Sequence, residues 1–274
     1  MIYDNPSKQR TGISDEIQLR NWVARRLIAA VGLLTITWAV GVPIVVKAEQ
    51  IHVAVAANFT EPAKEIAQAF EKKSGHRLIL SFGSTGQFYT QITQGAPFQV
   101  FLSADQATPK KAVEDGFAVG DTVFTYATGK LVLYSEKSDF VRGERTLHES
   151  NFQKIAIANP MTAPYGAAAI QAMRALGVYD GLRGKIVQGN NIAQTFQFVT
   201  TGSAELGFVA MSQVTARKEG SSWVVPDSLY SPIRQDATLL RTGNSSEAAR
   251  AFIAFLKEPE AVAIIRKYGY GIEP

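Results

Sequence analysis

The sequence predicts an α/β protein with two lobes, each built on a parallel sheet with helices on both faces. From Gln50 onward, short apolar runs alternate with amphipathic stretches of helical period. This alternation occurs in two separate sets, one before about residue 125 and one from about residue 150 to 210. Repeated βα units form parallel sheets covered by helices, and 274 residues suffice for two lobes of about 100 residues each.

The first 48 residues have the pattern of a secretory leader. Three arginines precede an apolar run over residues 27–46, and Val46-Lys47-Ala48 places small residues at the spacing that signal peptidase prefers. We therefore expect export and cleavage after Ala48. The alternative is an uncleaved anchor, because about 20 apolar residues can span a bilayer. Pro43, near the end of the run, favours cleavage.

Removal of the leader leaves an almost neutral chain. Residues 49–274 hold 22 Lys and Arg and 21 Asp and Glu, because six basic and three acidic residues belong to the leader. The formal charge of +4 on the full chain therefore gives no support to nucleic-acid binding. Cysteine is absent, which excludes disulfides, a thiolate nucleophile and a Cys-ligated metal site.

The first set of units runs through three strands and three helices. We expect strands at 51–56, 78–82 and 100–102, followed by helices from Thr60 to Gly75, from Gly83-Ser84-Thr85-Gly86 to Gly95, and from Thr108-Pro109 onward. Gly75 suits a helix end, where the chain takes a positive φ. Pro109 suits the first helical position, because its missing N–H is not needed there.

The second set repeats the pattern with strands at 155–158, 185–187 and 206–210. Between them, one helix buries Ile170, Met173 and Leu176, and another starts at Ile192 or Ala193. An extended link over residues 125–133 joins the lobes, and the tail, with one strand-like run and two amphipathic helices, is expected to return to the first lobe. We therefore assign residues 49–128 and 232–274 to lobe 1 and residues 129–231 to lobe 2.

Four loops that follow predicted strands consist of neutral residues, many of them able to form hydrogen bonds. They contain Ala57-Asn58, Gly83-Ser84-Thr85-Gly86, Pro164-Tyr165-Gly166 and Asn190-Asn191-Ile192. Ligands of open α/β sheets lie beyond the carboxyl ends of the strands, where helix N-termini present unpaired N–H donors and a partial positive charge. Each residue alone is explained by helix capping or a tight turn, but together the loops predict an anion site.

Enzyme sites fit the sequence poorly. Gln87 follows Gly86 where a nucleotide-binding P-loop has lysine, and no dinucleotide fingerprint is present. The three histidines are not at metal-ligand spacing, and no nucleophile elbow occurs. Asp105 is a candidate general base without a partner carboxylate, so a helix-capping or lobe-linking role fits it better. We expect no catalysis, with a periplasmic enzyme for phosphorylated substrates as the distant alternative.

The chain after residue 48 resembles, nearly end to end, the periplasmic molybdate-binding proteins of ABC transporters, which have the type II periplasmic binding protein fold. The matching stretches are Val55-Ala56-Ala57-Asn58-Phe59, Gly83-Ser84-Thr85-Gly86, Gly95-Ala96-Pro97-Phe98 with Phe101-Leu102-Ser103-Ala104-Asp105, Ala158-Asn159-Pro160 with Ala163-Pro164-Tyr165-Gly166, and Leu206-Gly207-Phe208-Val209. The resemblance implies a monomeric periplasmic receptor without a cofactor, which binds molybdate or tungstate between its lobes and docks on a membrane permease driven by an ATPase.

The resemblance also implies which residues contact the oxyanion. Carried over by position, they are Ala57, Asn58, Ser84, Thr85, Tyr165 and Ile192, the last two through backbone N–H groups, so the metal is held as its oxyanion and has no direct protein ligands. The sequence departs from the family at Ala57, which lacks a hydroxyl, and at Ala210, where some members have a tyrosine that reaches the anion. The alternatives within the same fold are sulfate, thiosulfate or a tyrosine-bound ferric ion.

Overall fold

The computed structural model describes residues 1–3 and 48–273. The predicted leader therefore lies outside the described residues, apart from residues 1–3 and Ala48. No helix within the described ranges is long and apolar enough to cross a membrane.

Ten strands and ten α-helices form the fold. The strands are β1 (Gln50–Ala56), β2 (Arg77–Gly83), β3 (Val100–Leu102), β4 (Phe124–Gly129), β5 (Leu131–Ser135), β6 (Ile155–Ala158), β7 (Ile186–Gly189), β8 (Leu206–Ala210), β9 (Ser221–Val224) and β10 (Ile233–Leu239). The helices are α1 (Thr60–Ser74), α2 (Thr85–Thr93), α3 (Ala107–Glu114), α4 (Arg145–Glu149), α5 (Pro164–Ala175), α6 (Tyr179–Leu182), α7 (Ile192–Thr200), α8 (Met211–Val214), α9 (Glu247–Phe255) and α10 (Pro259–Lys267). These counts refer to the described part of the chain.

The strands form two five-stranded sheets, in the orders β2-β1-β3-β10-β4 and β7-β6-β8-β5-β9. The expected parallel pairing occurs between β1 and its neighbours β2 and β3, and between β6 and its neighbours β7 and β8. The parallel pairs expected from the βα units are joined by antiparallel ones, because β10 pairs antiparallel with β3 and β4, and β5 pairs antiparallel with β8 and β9. Strands β5 and β10 are the ones that enter a sheet directly from the other lobe. They need no crossover helix, because such a helix is required only between parallel neighbours.

The chain passes between the sheets twice. It leaves the first sheet at Gly129, at the end of β4, and enters the second at Leu131. It returns between β9 and β10, and Ile233, the first residue of β10, pairs with Gly129. The two connections therefore lie side by side, which is the arrangement of a hinge between two lobes.

Each sheet has its own apolar core. In the first lobe, Ile66 and Phe70 on the predicted inward face of α1 are buried. Phe70 packs edge-on against Phe252 of α9, with ring centroids 5.2 Å apart, so the tail does pack on the first lobe. In the second lobe, Met173 on α5 is fully buried, as its predicted helix face requires.

The helix ends agree with the sequence at one predicted boundary and differ at another. Gly75 follows α1 with φ of 73°, the left-handed conformation expected there. The predicted start of α3 at Thr108-Pro109 is wrong, because the helix begins at Ala107 and Pro109 is its third residue. The carboxylate of Asp105 accepts the backbone N–H of Thr108 at 2.8 Å and so supports the earlier start. Pro109 still lies in the first turn, where a missing N–H is tolerated.

Candidate anion-binding site

A small cavity lies where the carboxyl ends of strands from both sheets face each other. Its walls follow β1 and β2 on one side and β6 and β7 on the other. The lining residues are Ala56, Ala57, Asn58, Gly83, Ser84, Thr85, Ala104, Ala163, Pro164, Tyr165, Asn191 and Ile192. All six residues predicted from the sequence to contact an oxyanion are among them.

The first lobe supplies a buried hydroxyl with no partner. Ser84 directly precedes α2, and its side chain is only 3% exposed. Gln87 accepts the Ser84 backbone N–H at 3.4 Å, but the Ser84 Oγ atom has no hydrogen-bond partner among the residues that the structure describes. A buried hydroxyl without a partner costs about 1–3 kcal/mol, so the Ser84 hydroxyl is available for a hydrogen bond to a ligand at the cavity wall.

Thr85 and the start of the 3₁₀ helix at Ala57 complete the wall of the first lobe. The Thr85 hydroxyl accepts the backbone N–H of Ala104 at 3.0 Å, so its own proton is not used in that bond. Ala57 and Asn58 are the first residues of the 3₁₀ helix Ala57–Phe59. The first N–H groups of a helix lack acceptors within it, so this segment presents main-chain donors although Ala57 has no hydroxyl.

The second lobe supplies two helix N-termini. Tyr165 is the second residue of α5, after Pro164, and Ile192 is the first residue of α7. The side chain of Asn191 caps α7 by accepting the N–H of Gln194 at 3.0 Å. This cap satisfies one donor of the first turn and leaves the Ile192 N–H at the cavity wall, where the helix dipole adds a partial positive charge.

The side chains of Asn58 and Tyr165 are engaged in a buried network behind the cavity. Asn58 Nδ2 donates to Gln235 Oε1 at 2.8 Å and to the Tyr270 hydroxyl at 2.9 Å. Gln235 Nε2 donates to the Tyr165 hydroxyl at 3.3 Å, and the Tyr126 hydroxyl donates to Gln235 Oε1 at 3.2 Å. The backbone N–H groups of Asn58 and Tyr165 therefore remain as their donors toward the cavity. Gln235 and Tyr270 were not predicted from the sequence. The one signal for Gln235 was its polar character within the buried strand β10, and Tyr270, which lies outside that strand, had none.

Burial keeps the phenols of this network protonated. It raises the pKa values of Tyr126 and Tyr165 well above the usual range, and it raises the pKa of Tyr270 to about 12. No group of three or more His, Asp or Glu side chains in residues 1–3 and 48–273 is placed to hold a metal ion.

The cavity is small and its walls are uncharged. Its volume is about 10 Å³, on a scale where one water needs about 10–15 Å³, so it has no room for an organic solute. The lining side chains carry no formal charge. An ion in this site is held by N–H and hydroxyl donors alone.

Asp105 does not face this cavity. Its carboxylate accepts hydrogen bonds from the Ser103 hydroxyl at 3.3 Å and from the backbone and side chain of Thr108. Burial raises its pKa, while these hydrogen bonds act in the opposite direction. Its partners and its place before α3 fit the capping role expected from the sequence. Ala210, the other position of interest, is fully buried at the end of β8 and does not line the cavity.

The fold and the site together define a class, the two-lobed solute-binding proteins that hold a small ligand between their lobes. Residues 51–271 match the family of bacterial extracellular solute-binding proteins, and the chain belongs to this family. Two relatives are much closer than the family as a whole. The molybdate-binding protein ModA of Rhodobacter capsulatus is 53% identical over 242 residues, covering 88% of this chain and 96% of that protein. ModA of Azotobacter vinelandii is 49% identical over 252 residues, covering 90% and 98%.

A solved structure confirms the fold. The periplasmic molybdate-binding protein of Azotobacter vinelandii superposes with a TM-score of 0.79 at 39% identity, covering 82% of this chain and 100% of that one. The resemblance and the two-lobed α/β fold expected from the sequence are thereby confirmed. The named relatives are binding proteins of solute transport and not enzymes.

Proposed function

We propose that this protein is a periplasmic receptor that binds molybdate or tungstate between its lobes and delivers the ion to an ABC permease with its ATPase. The observation that carries the proposal is the partnerless, buried Ser84 hydroxyl in a cavity lined by helix N-termini from both lobes. The ModA relatives at 53% and 49% identity support the choice of ion.

The chemistry of the donors fits this class of ion. Molybdate and tungstate are fully deprotonated dianions at neutral pH and offer acceptors only. Hydrogen phosphate carries a P–OH donor, which finds no charged acceptor on these walls and so loses affinity. Sulfate presents the same acceptors in a smaller tetrahedron, so discrimination against sulfate rests on the size of the cavity.

The number of donors is sufficient for a transport receptor. Micromolar to nanomolar binding corresponds to about −8 to −12 kcal/mol. Hydrogen bonds to a charged group contribute about 1.5–3 kcal/mol each, so a handful of donors provides this after the cost of ordering the complex. In this proposal, Ser84 and Thr85 bind through their hydroxyls, and Ala57, Asn58, Tyr165 and Ile192 bind through backbone N–H groups.

The remaining parts of the proposal concern the whole chain. Residues 49–128 and 232–274 form lobe 1 and residues 129–231 form lobe 2, with closure about the paired connections beside Gly129 and Ile233. The mature protein begins after Ala48, acts as a monomer and catalyses no reaction. The leader pattern supports export, and the relatives' names as molybdate-binding proteins support a receptor without catalysis.

Calorimetric titration of residues 49–274 with molybdate, tungstate, sulfate and phosphate at neutral pH tests the function. We expect one ion per protein for molybdate and tungstate, with sulfate and phosphate weaker by about a hundredfold, or about 2.7 kcal/mol. Equal competition by sulfate would refute the size filter, and absence of binding to all four ions would refute the receptor.

A further inference from the structure

Gly86 lies where the two lobes touch beside the anion cavity. It is the second residue of α2 in the first lobe and directly follows Thr85, which lines the cavity. Its backbone N–H donates to the backbone oxygen of Thr162 in the second lobe at 2.9 Å. Both residues also line a larger cavity of about 370 Å³, which shares Ala104, Ala163 and Pro164 with the anion cavity. The Gly86–Thr162 contact therefore lies where the two cavities adjoin.

The nearest neighbours of a side chain at position 86 would belong to the opposite lobe. A Cβ atom there would lie 3.1 Å from Thr162 Cα, 3.2 Å from its Cβ and 3.3 Å from its backbone oxygen. These are the three nearest heavy atoms, and two of them are backbone atoms that cannot rotate away. The tight approach is therefore a property of the closed arrangement of the lobes.

The first lobe by itself gives no reason for glycine at this position. Gly86 does not have the positive φ that excludes other residues, unlike Gly75 and Gly95. It lies in the first turn of a helix at a φ that alanine can adopt, where glycine costs about 0.4–1 kcal/mol of stability relative to alanine through the entropy of the unfolded chain. The residue therefore weakens α2 locally, and the compensating advantage lies in the contact with Thr162.

We infer that Gly86 is a positioning residue for closure: its lack of a side chain lets the lobes meet at Thr162 and so slows release of the bound oxyanion. The inference rests on the proposed receptor function and deepens it, since it names a residue outside the anion's own contacts that sets the lifetime of the complex. Because the contact forms only after closure, its loss acts on the dissociation rate more than on the association rate.

The test compares three variants of the full receptor. Gly86→Ala adds the Cβ atom. Gly181→Ala is the matched control, because Gly181 is an exposed helical glycine in α6 with open space around its Cβ position. Thr162→Val keeps the shape and backbone oxygen of Thr162 and removes only its hydroxyl, which is buried without a partner. Stopped-flow and calorimetry give the rates and the Kd for molybdate, and thermal unfolding without ligand gives Tm.

We expect opposite effects of Gly86→Ala on binding and on stability. The Kd for molybdate rises about 5- to 150-fold, mostly through faster dissociation, while the ligand-free Tm stays level or rises. Gly181→Ala has a level or higher Tm and wild-type binding, and Thr162→Val loses less affinity for molybdate than Gly86→Ala does. An unchanged Kd for Gly86→Ala, or a lower ligand-free Tm, would overturn the inference. A loss of affinity in Thr162→Val equal to that of Gly86→Ala would assign the effect to the hydroxyl and would also overturn it.

A second measurement separates this inference from the proposed function. The chain has no cysteine, so spin labels can be attached after Glu114→Cys and Arg183→Cys substitutions at exposed positions in the two lobes. We expect Gly86→Ala to reduce the population with closed interlobe distances, with or without ligand. Failure of the wild type to bind any oxyanion refutes the receptor alone, whereas identical distance distributions in the two proteins refute the role of Gly86.

Discussion

Replacement of Ser84 by alanine tests whether the Ser84 hydroxyl binds the ligand or stabilises the fold. Ser84 Oγ is buried and has no partner in the described part of the chain, so the substitution removes no hydrogen bond seen in the structure. It also relieves the protein of a buried polar group that lacks a partner, which costs about 1–3 kcal/mol. We therefore expect the ligand-free protein to be at least as stable as the wild type.

The affinity for molybdate should change in the opposite direction. A hydrogen bond from the Ser84 hydroxyl to a charged oxyanion is worth about 1.5–3 kcal/mol, which corresponds to a rise in Kd of about 10- to 150-fold. The backbone N–H groups at the cavity wall are unaffected, so one-to-one binding persists. The tungstate affinity should fall by a similar factor, because both ions present the same tetrahedron of acceptors.

Ser135→Ala is the matched control for this prediction. Ser135 is equally buried, but its hydroxyl donates to the backbone oxygen of Glu205 at 2.6 Å, away from the cavity. We expect this variant to lose about 1–3 kcal/mol of unfolding free energy and to bind molybdate as the wild type does. Urea unfolding and calorimetry measure the two quantities. If Ser84→Ala lowers stability and leaves the affinity unchanged, the hydroxyl belongs to the fold and the assignment of the site is wrong.

Three further predictions follow from the groups around the cavity. Gln235→Leu leaves the buried side chains of Asn58, Tyr126 and Tyr165 without this partner, so it should lower the free energy of unfolding by at least about 2 kcal/mol. Urea unfolding that matches the wild type would contradict the hydrogen-bond network around Gln235. Burial raises the pKa of Tyr270 to about 12, so the folded state holds this proton more tightly than the unfolded chain, whose tyrosines titrate near about 10. The free energy of unfolding should therefore be level below about pH 10 and fall from there toward about pH 12. A level profile across that window would refute the pKa shift. Asn191→Ala removes the cap of α7, so it should lower the free energy of unfolding by about 1 kcal/mol and weaken molybdate binding several-fold, because the Ile192 N–H is then held less rigidly. Ser246→Ala removes the equivalent cap of α9 and should affect stability only. Equal molybdate affinities in the two variants would count against a role for Ile192 in binding.

The parts of the molecule that follow from local sequence were predictable. A strand followed by a neutral segment that starts a helix is visible in the sequence, and three such segments bring Ser84, Tyr165 and Ile192 to one cavity. The buried faces of α1 and α5 also follow from helical periodicity.

The features that depend on distant parts of the chain were not predictable. The antiparallel strands β5 and β10 result from the double passage between lobes, which no short pattern encodes. The direction of the Asn58 side chain depends on Gln235 and Tyr270, both more than 170 residues away. The need for glycine at position 86 appears only when Thr162 of the other lobe is beside it.

The uncharged cavity in a nearly neutral chain also has an electrophoretic consequence. No lining side chain can give up or take up a proton to offset the bound charge, so a bound dianion adds its full two negative charges to the protein. The predicted mature chain carries 22 basic and 21 acidic side chains, a net charge of about +1. Capture of one dianion brings this to about −1, so the loaded and empty receptors should migrate in opposite directions in a native gel near neutral pH.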